Sequence, residues 1–289
     1  MDWVNSIVQG ALIGGLYALF AAGLSVMFGV MRIVNVAHGD FIVLAAYLAL
    51  VIVQTMGIHP FLSLLLVVPI MFSIGYILQR GLLNFTISDD ILPPLLVTFG
   101  ISVIIENLLL EIFSADTQKL QAGWLETASL KIGDQLAVGW LPTINFLVAV
   151  AVIIILEIML YHTAIGRAFR STSDDGETAR LYGVDHRHIF ALATAIALAV
   201  ASIAGVLLAI RTTFDPTTGP SRLLYAFEVV IIGGLGSLWG SLAGGVILGV
   251  SQAIAAAIDP GWEPLAAHLV FLIVLIIRPH GLFPRMLDK

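Results

Sequence analysis

The residues of this chain best suited to chemistry form a short polar cluster between two long uncharged stretches. Asn35, His38 and Asp40 surround Gly39, and Arg32 precedes them. Polar groups within an apolar chain usually face protein or a water-filled cavity, and glycine permits the unusual turn that would present them. The cluster therefore either lines or gates a path, or it is an ordinary turn at the end of a span. In the second case Asp40 caps the next helix, His38 is hydrogen-bonded locally and Arg32 is an anchor.

Three carboxylates add to this small set of chemical groups. Glu106 and Glu157 lie inside apolar stretches, and Glu228 lies near the start of another. Each is either a pathway residue or a side chain that reaches the membrane interface. The chain has no cysteine and none of the motifs G-x-S-G, G-x-G-D and H-E-x-x-H. We therefore predict no catalytic residue, no metal site and no enzyme, with an intramembrane enzyme as an alternative class.

The composition predicts the elements that must hold these groups. Of the 289 residues, 59% are hydrophobic and 11% are charged, against about 25% charged in soluble domains. Uncharged stretches recur that are long enough to cross the ~30 Å hydrocarbon core. The sequence therefore predicts an all-α, polytopic helical membrane protein, organised as one transmembrane domain over residues 1–289. No basic patch suits nucleic acid, so membrane lipid is the expected surrounding.

Eight or nine spans are predicted, and the seventh is so short that it either crosses or only dips into the membrane. The predicted spans are 6–30, 39–57, 60–80, 91–113, 141–163, 189–212, 225–238, 240–258 and 264–280. Arginines concentrate in residues 164–188, whereas residues 114–140 contain none. The positive-inside rule places 164–188 in the cytoplasm and 114–140 outside. The side of the N-terminus depends on whether the number of spans is odd.

Glycines interrupt the second half of the chain between residues 233 and 245. This stretch and the polar break at 35–40 are paired interruptions, which predict a weak internal repeat with a pathway between its halves. Gly233, Gly234 and Gly236 are therefore candidates for the pathway. Gly236, Gly240 and Gly244 are spaced by four residues, so they either let two helices pack closely or leave bare backbone along a path.

The predicted cytoplasmic segment contains signals for a short helix. Asp174 and Glu177 resemble a capping box, and Gly183 is suited to the position after a helix end. A helix of about two turns over 175–182 follows from these signals, with Asp185 capping the next span. The segment is either a solvated connection or a rigid docking element.

Several motifs in this chain resemble those of a known family. "ETARLYG" (177–183) is similar to the E-A-A-x-x-x-G coupling motif of ABC importer permeases, with Thr178 in place of one alanine. The surrounding 166–184, the N-terminal 15–47, and the C-terminal 233–249 and 276–283 resemble high-affinity branched-chain amino acid permeases. The resemblance implies an ABC importer permease fold and an ATPase-coupling role for residues of the cytoplasmic segment. These residues are Gly166, Arg167, Arg170, Glu177, Ala179, Arg180 and Gly183.

The same resemblance implies a set of partners and a location. It implies a homologous second permease, two cytoplasmic ATPases that bind ATP and Mg²⁺, an extracytoplasmic solute-binding protein and the bacterial inner membrane. The chain itself has no G-x-x-x-x-G-K-[ST] loop, so no cofactor is expected on it. The residues of the external segment predict a small hairpin turning at Gly133–Asp134, with Trp124 and Trp140 as interface anchors. Given the resemblance, we expect this segment to be a docking site for the binding protein.

The resulting hypothesis is ATP-driven import of branched-chain or other neutral amino acids by alternating access. Permeases for urea, amides or other small organic solutes are alternatives within the same family. An ion-coupled secondary transporter, with Glu106 and Glu157 as coupling residues, and a structural scaffold are the alternatives outside it.

Overall fold

The computed structural model describes residues 3–87, 92–132, 136–174 and 176–283, and the fold in these ranges is helical. The helices are α1 Trp3–Met31, α2 His38–Met56, α3 Pro60–Gly81, α4 Leu92–Phe113, α5 Trp140–His162, α6 Ala164–Asp174, α7 Gly176–Leu181, α8 His186–Arg211, α9 Gly219–Gly233, α10 Leu238–Ile258 and α11 Glu263–Ile277. Among the described residues, eight helical segments are long and apolar enough to cross a membrane. The prediction of an all-α polytopic membrane protein is confirmed.

The helices α1 and α8 form the centre of the bundle. Most of the apolar window of each is buried, whereas little of that of α3, α4 or α11 is. Large apolar side chains such as Leu65 and Ile276 are exposed on these outer helices. The outer surface therefore suits lipid or an apolar partner, as expected where water does not drive helix association.

Contacts of α1 with the segments just before and just after α5 establish on which side the chain begins. Gln9 Nε2 donates to the carbonyl of Ala137 at 2.5 Å, near one end of α1. Ser173 Oγ donates to the carbonyl of Gly29 at 2.9 Å, near the other end. The two helices are thus parallel, and the chain begins on the side of segment 114–140. We call this the outer side, and the side of the arginine-rich segment 164–188 the inner side.

The short seventh predicted span corresponds to α9, which has only 15 residues and starts within the bundle. Gly233 of α9 lies against Gly240 of α10, and the carbonyl of Val229 lies against Gly244. These pairs make α9 antiparallel to α10, so α9 brings the chain from the outer half back to the inner side. The chain therefore changes sides an odd number of times, which answers the question of parity that the sequence leaves open.

Helix α2 also begins inside the bundle rather than at its end. His38 Nε2 lies 2.9 Å from the carbonyl oxygen of Phe20. Phe20 precedes the end of α1 by about 16 Å of helix axis. Residues 32–37 therefore run back along α1 before α2 starts. The starts of α2 and α9 meet, because Gly39 packs directly against Gly219.

The two helix starts share one local structure. Asn35 Oδ1 accepts from Ala37 N at 3.0 Å, and Asp215 Oδ1 accepts from Thr217 N at 2.8 Å. In both turns the amide three residues on donates back to the carbonyl of the Asn or Asp. Because Asn and Asp side chains mimic a backbone turn, each satisfies amides that would otherwise be free inside the membrane.

The packing repeats as well, which identifies the internal repeat. Helix α1 packs along α10 as α8 packs along α3, and α2 crosses α8 as α9 crosses α1. Because α1 and α8 point to opposite sides, this is an inverted-topology repeat. It pairs residues 32–40 with 212–220. The pairing of 35–40 with 233–245, expected from the sequence, is therefore wrong, because the glycine-rich turn is not the start of a buried helix.

Glycines of α10 allow close approach on two faces. Gly245 and Gly249 pack against the backbone of Gly14 and Gly10 in α1. Gly240 and Gly244 pack against α9 instead. Gly236 does not continue this stripe, since it lies in the turn before α10 with φ +80°. That part of the predicted four-residue spacing is wrong, because the helix begins only at Leu238.

The external segment contains the predicted hairpin. Strand β1 (Ser129–Ile132) pairs with β2 (Leu136–Gly139) in antiparallel register, with Ser129 opposite Gly139. The predicted turn at 133–134 lies outside the described residues. Trp124 and Trp140 are both exposed. A 2.7 Å hydrogen bond from Lys119 holds the pKa of the Glu126 carboxyl below its usual range.

We expect Gly245→Ala to destabilise the protein. A Cβ there would overlap the carbonyl of Gly14, and overpacking costs about 1–3 kcal/mol. The matched control is Gly100→Ala in α4, where a Cβ meets nothing within 4 Å and alanine favours the helix. Thermal unfolding in detergent should show a lower midpoint for Gly245→Ala and no loss for Gly100→Ala. Equal midpoints for the two variants would contradict the close α1–α10 packing.

Candidate functional site

The polar break lies where α2 and α9 begin side by side, which we call the helix-start junction (residues 35–40 and 215–223). Asn35, His38 and Asp40 are 0%, 0% and 2% exposed. Asn35 and His38 contact α1, at Met27 Sδ and the Phe20 carbonyl. The alternative of an ordinary turn at the inner surface does not fit this depth. The junction is also closed in the single chain, so its role in a path stays a prediction.

Asp40 is the buried carboxylate at the contact between the two helix starts. It lies at the start of α2, against Gly219 at the start of α9, and it interacts with Ser102 of α4. Two helix N-termini therefore face one carboxylate, and the partial positive charge of helix starts favours an anion there. Glu106 lies within electrostatic range of Asp40 and is partly buried. Asp40 faces α9, which any opening of the junction would have to displace.

The glycines 233–236 have a different environment. Gly234 has φ +105°, and Phe283 N donates to the carbonyl of Gly233 at 2.9 Å. The turn thus holds the chain after α11 against the end of α9. Gly236 borders a cavity of about 760 Å³ in the inner half, which Glu157 and Arg170 also line. The pathway role of Gly233, Gly234 and Gly236 remains a prediction.

A second polar cluster, which we call the outer polar cluster because it includes the outer end of α8, adjoins the junction and shares Arg222 with it. Its seven residues come from α1, α8, α9, α10 and α11: Tyr17, Arg211, Arg222, Tyr225, Glu228, Gln252 and His268. Tyr17 Oη donates to Gln252 Oε1 at 2.5 Å, and the Tyr17 and Tyr225 rings are 5.3 Å apart. His268 Nδ1 contacts Glu228 Oε1, and its ring stacks on Tyr225.

Sequence reasoning identified only Glu228 in the outer polar cluster. Its members are single polar residues within five apolar helices, and no two of them are arranged in a recognisable motif. The available signal was the presence of Arg222 and Glu228 on one short helix between glycines. That signal does not reveal that Tyr17 and Gln252 are neighbours, because their contact depends on α1 packing against α10.

The arginine-rich segment forms two helices, where the sequence predicted one. Helix α6 was missed, and Asp174 is its last residue rather than the start of the next helix. Gly166 packs against the carbonyl of Leu160, which permits a tight turn between α5 and α6. Arg170 contacts the same carbonyl and lies 5.2 Å from the Tyr161 ring, whereas Arg167 is exposed.

Helix α7 matches the predicted coupling helix in position. Ala179 is buried and Arg180 is exposed, whereas the side chain of Glu177 lies outside the described residues. Gly183 has φ +85° and ends the helix through the 3.0 Å bond from its amide to the Arg180 carbonyl. Asp185 caps α8 by accepting from Arg187 N at 3.0 Å, which confirms that prediction.

The tip of this segment exposes two large side chains that the sequence analysis missed. Leu181 and Tyr182 are 87% and 86% exposed on the inner side. Beside them, a cavity of about 560 Å³ is bordered by Arg80, Arg180 and Arg187. An apolar tip with a basic rim suits a protein partner, because exposed apolar residues in such a setting mark interaction sites. Among the described residues, no group of three potential metal ligands occurs.

Comparison with known proteins agrees with these features. Residues 6–278 match the family described as branched-chain amino acid transport system / permease component. The permease protein BraD of Pseudomonas aeruginosa is 25% identical, with 98% of this chain and 96% of BraD covered. LivH of Salmonella typhimurium is 28% identical, with coverages of 98% and 96%. A probable LivH of Methanocaldococcus jannaschii is also 28% identical, with 96% and 91% covered.

No solved structure matches the chain. The family match nevertheless spans the helices from α1 to α11, including both helix starts and the inner segment with α6 and α7. The chain therefore belongs to the permease components of branched-chain amino acid transport systems.

Proposed function

We propose that the chain is one of two homologous permease subunits of an ATP-driven importer of branched-chain or other neutral amino acids. It works as a multi-pass protein of the bacterial inner membrane. Two ATPases bind ATP and Mg²⁺ on its inner side, and a solute-binding protein delivers solute on its outer side. The family match and the names of the relatives support this proposal, as they are described as branched-chain amino acid transport permease proteins.

The observation that carries the mechanism is the apolar tip formed by Leu181 and Tyr182. Large, almost fully exposed side chains of this kind are rarely left without a partner on a rigid, capped element. Arg80, Arg180 and Arg187 line the cavity beside the tip, where Asp185 pairs with Arg80 at 3.7 Å and leaves a net positive charge. A partner groove with an apolar centre and acidic rim would complement them, and this is the surface expected on the ATPase.

Helix α8 connects the tip to the junction. It begins directly after Gly183 and Asp185, and it packs along α1, α2 and α3. Gly205 of α8 lies against the carbonyl of Ile42 in α2, so the two helices touch without intervening side chains. Movement of the ATPases against α7 would therefore tilt α8 against α2. In this mechanism, one arrangement keeps the start of α2 against α9 and the other separates them, as alternating access requires.

The first test is the composition of the complex. Gentle affinity purification from the native membrane, followed by mass spectrometry, should recover a second permease and two ATPases in near-equal amounts. Recovery of the chain alone, with leucine uptake that depends on an ion gradient and not on ATP, would favour a secondary transporter with Glu106 and Glu157 as coupling residues.

We expect Leu181→Ser combined with Tyr182→Ser to separate the permease from its ATPases. Each apolar anchor in an interface contributes about 2 kcal/mol or more, so ATPase recovery and ATP-dependent uptake should fall by about tenfold or more. Ile277→Ser is the matched control, because Ile277 is a large apolar residue that is 71% exposed at the inner end of α11, a helix that packs on α9 and α10. Membrane insertion of both variants should match the wild type. Normal uptake by the double variant would refute a docking role.

The backbone at Gly183 gives an independent test of rigidity. At φ +85°, a β-branched residue is strained, whereas asparagine tolerates this conformation far better. Gly183→Val should therefore impair ATP-dependent uptake, and Gly183→Asn should retain most of it. No neighbouring atom lies within 4 Å of a Cβ here, so crowding does not contribute. Equal uptake by the two variants would show that the geometry of this turn is unimportant.

A further inference from the structure

We propose that the outer polar cluster binds the zwitterionic backbone of an α-amino acid as it passes through the permease. In this arrangement the carboxylate contacts Arg211, Arg222 and Gln252, and the ammonium contacts Tyr225 and Glu228. The inference rests on the proposed function, and it adds a binding site and a chemical requirement on the solute.

The cluster is placed where a solute from the outer side would arrive. Arg211 is the last residue of α8 on the outer side, and Gln252 lies in the outer half of α10. Tyr17 and Gln252 form its buried floor, at 8% and 3% exposure. Arg211, Arg222 and His268 are only partly buried. The cluster is therefore open to the outside of this chain on one side and closed below by packed helices.

Three donor nitrogens of this cluster lack an acceptor in the described part of the chain. Arg211 Nη1, Arg222 Nε and Gln252 Nε2 are buried and have no hydrogen-bond partner there. Arg211 lies within electrostatic range of Arg222, Tyr17 and Glu263, but no hydrogen bond joins its Nη1 to any of them. Buried donors without acceptors are costly, particularly when they belong to charged groups. A carboxylate, which accepts several hydrogen bonds and matches the guanidinium fork, would satisfy them together.

An acceptor without a donor completes the pattern. Glu228 Oε1 contacts His268, whereas Oε2 is buried without a partner in the described part of the chain. An ammonium group next to Oε2 would satisfy it. Tyr225 lies within electrostatic range of Glu228, and aromatic rings attract cations. A plain anion would leave Glu228 unsatisfied, so the cluster is suited to a molecule with both charges.

The spacing along α9 brings three of these side chains to one side of that helix. Arg222, Tyr225 and Glu228 follow each other at intervals of three residues, and residues three apart are neighbours on a helix surface. A single ligand can therefore contact all three.

Direct binding to the complex without its binding protein tests the proposal. The permease–ATPase complex in nanodiscs should bind radiolabelled leucine saturably in a scintillation proximity assay. Leucinamide, which lacks the carboxylate, and 4-methylpentanoate, which lacks the ammonium, should each compete at least about tenfold more weakly than leucine. Equal competition by the three compounds would overturn the proposal, as would competition by the carboxylic acid alone, which indicates only an anion site.

Two variants assign the two ends of the ligand. In Arg222→Gln, leucine binding should weaken about tenfold or more and the preference for leucine over leucinamide should disappear. In Glu228→Gln, the preference for leucine over 4-methylpentanoate should disappear instead. A merely structural role for these residues would not change the two preferences separately. Arg278→Gln, at an exposed position after α11, is the matched control and should bind as the wild type does.

The outcome separates this proposal from the proposed function. Leucine uptake with the binding protein present is measured on the same preparation of the complex. A complex that imports leucine with ATP but shows no carboxylate and ammonium requirement in direct binding would overturn the site and leave the importer function standing. A complex that neither imports nor binds leucine would overturn both.

Discussion

The contact between Gly39 and Gly219 is the constraint on which the rest of the structure depends. Two helices begin there inside an apolar bundle, where no water is at hand for free backbone amides. The chain meets this requirement locally, with Asn35 and Asp215 each accepting from an amide of its own turn. It meets it again through packing, because either glycine with a side chain would overlap the other helix start. The inverted repeat is the consequence, since the same solution is used once in each orientation.

The functional regions are arranged around this contact. The outer polar cluster adjoins it, the glycine-rich turn at 233–236 and the inner cavity lie on its inner side, and α8 passes beside it. Asp185 caps the start of α8 beside α7, and α8 packs closely against α2. The exposed tip at Leu181 and Tyr182 is therefore connected to the junction through α8. In the proposed importer this path converts movement at the ATPases into opening of the helix starts. The tight glycine contacts suit such a lever, because packed backbones transmit displacement with little loss.

Much of the fold was predictable because the bilayer imposes simple requirements on composition. Long uncharged runs gave the spans, the arginines of 164–188 gave the orientation, and Asp185 and Gly183 marked the ends of helices through local chemistry. Helix α6 was missed because its amphipathic pattern is carried by polar residues within a segment already interpreted as a connection. The glycine-rich stretch was assigned to the wrong half of the repeat, since glycine spacing alone does not distinguish a helix face from a turn with positive φ.

The sequence by itself determined the class of protein, the approximate spans, the short helix in the arginine-rich segment and the family, because each of these depends on local composition or on contiguous motifs. Only the tertiary structure decided that Asn35 and His38 are deeply buried, that the N-terminus lies on the side of the external hairpin, and that Arg211, Arg222 and Gln252 share one cluster. These features depend on which helix faces pack together across more than two hundred residues of chain, as with Tyr17 and Gln252. The reason is physical: in an apolar chain nearly every helix face can be buried or face lipid, so hydrophobic periodicity does not select the pairing, and the close approach of glycine backbones does.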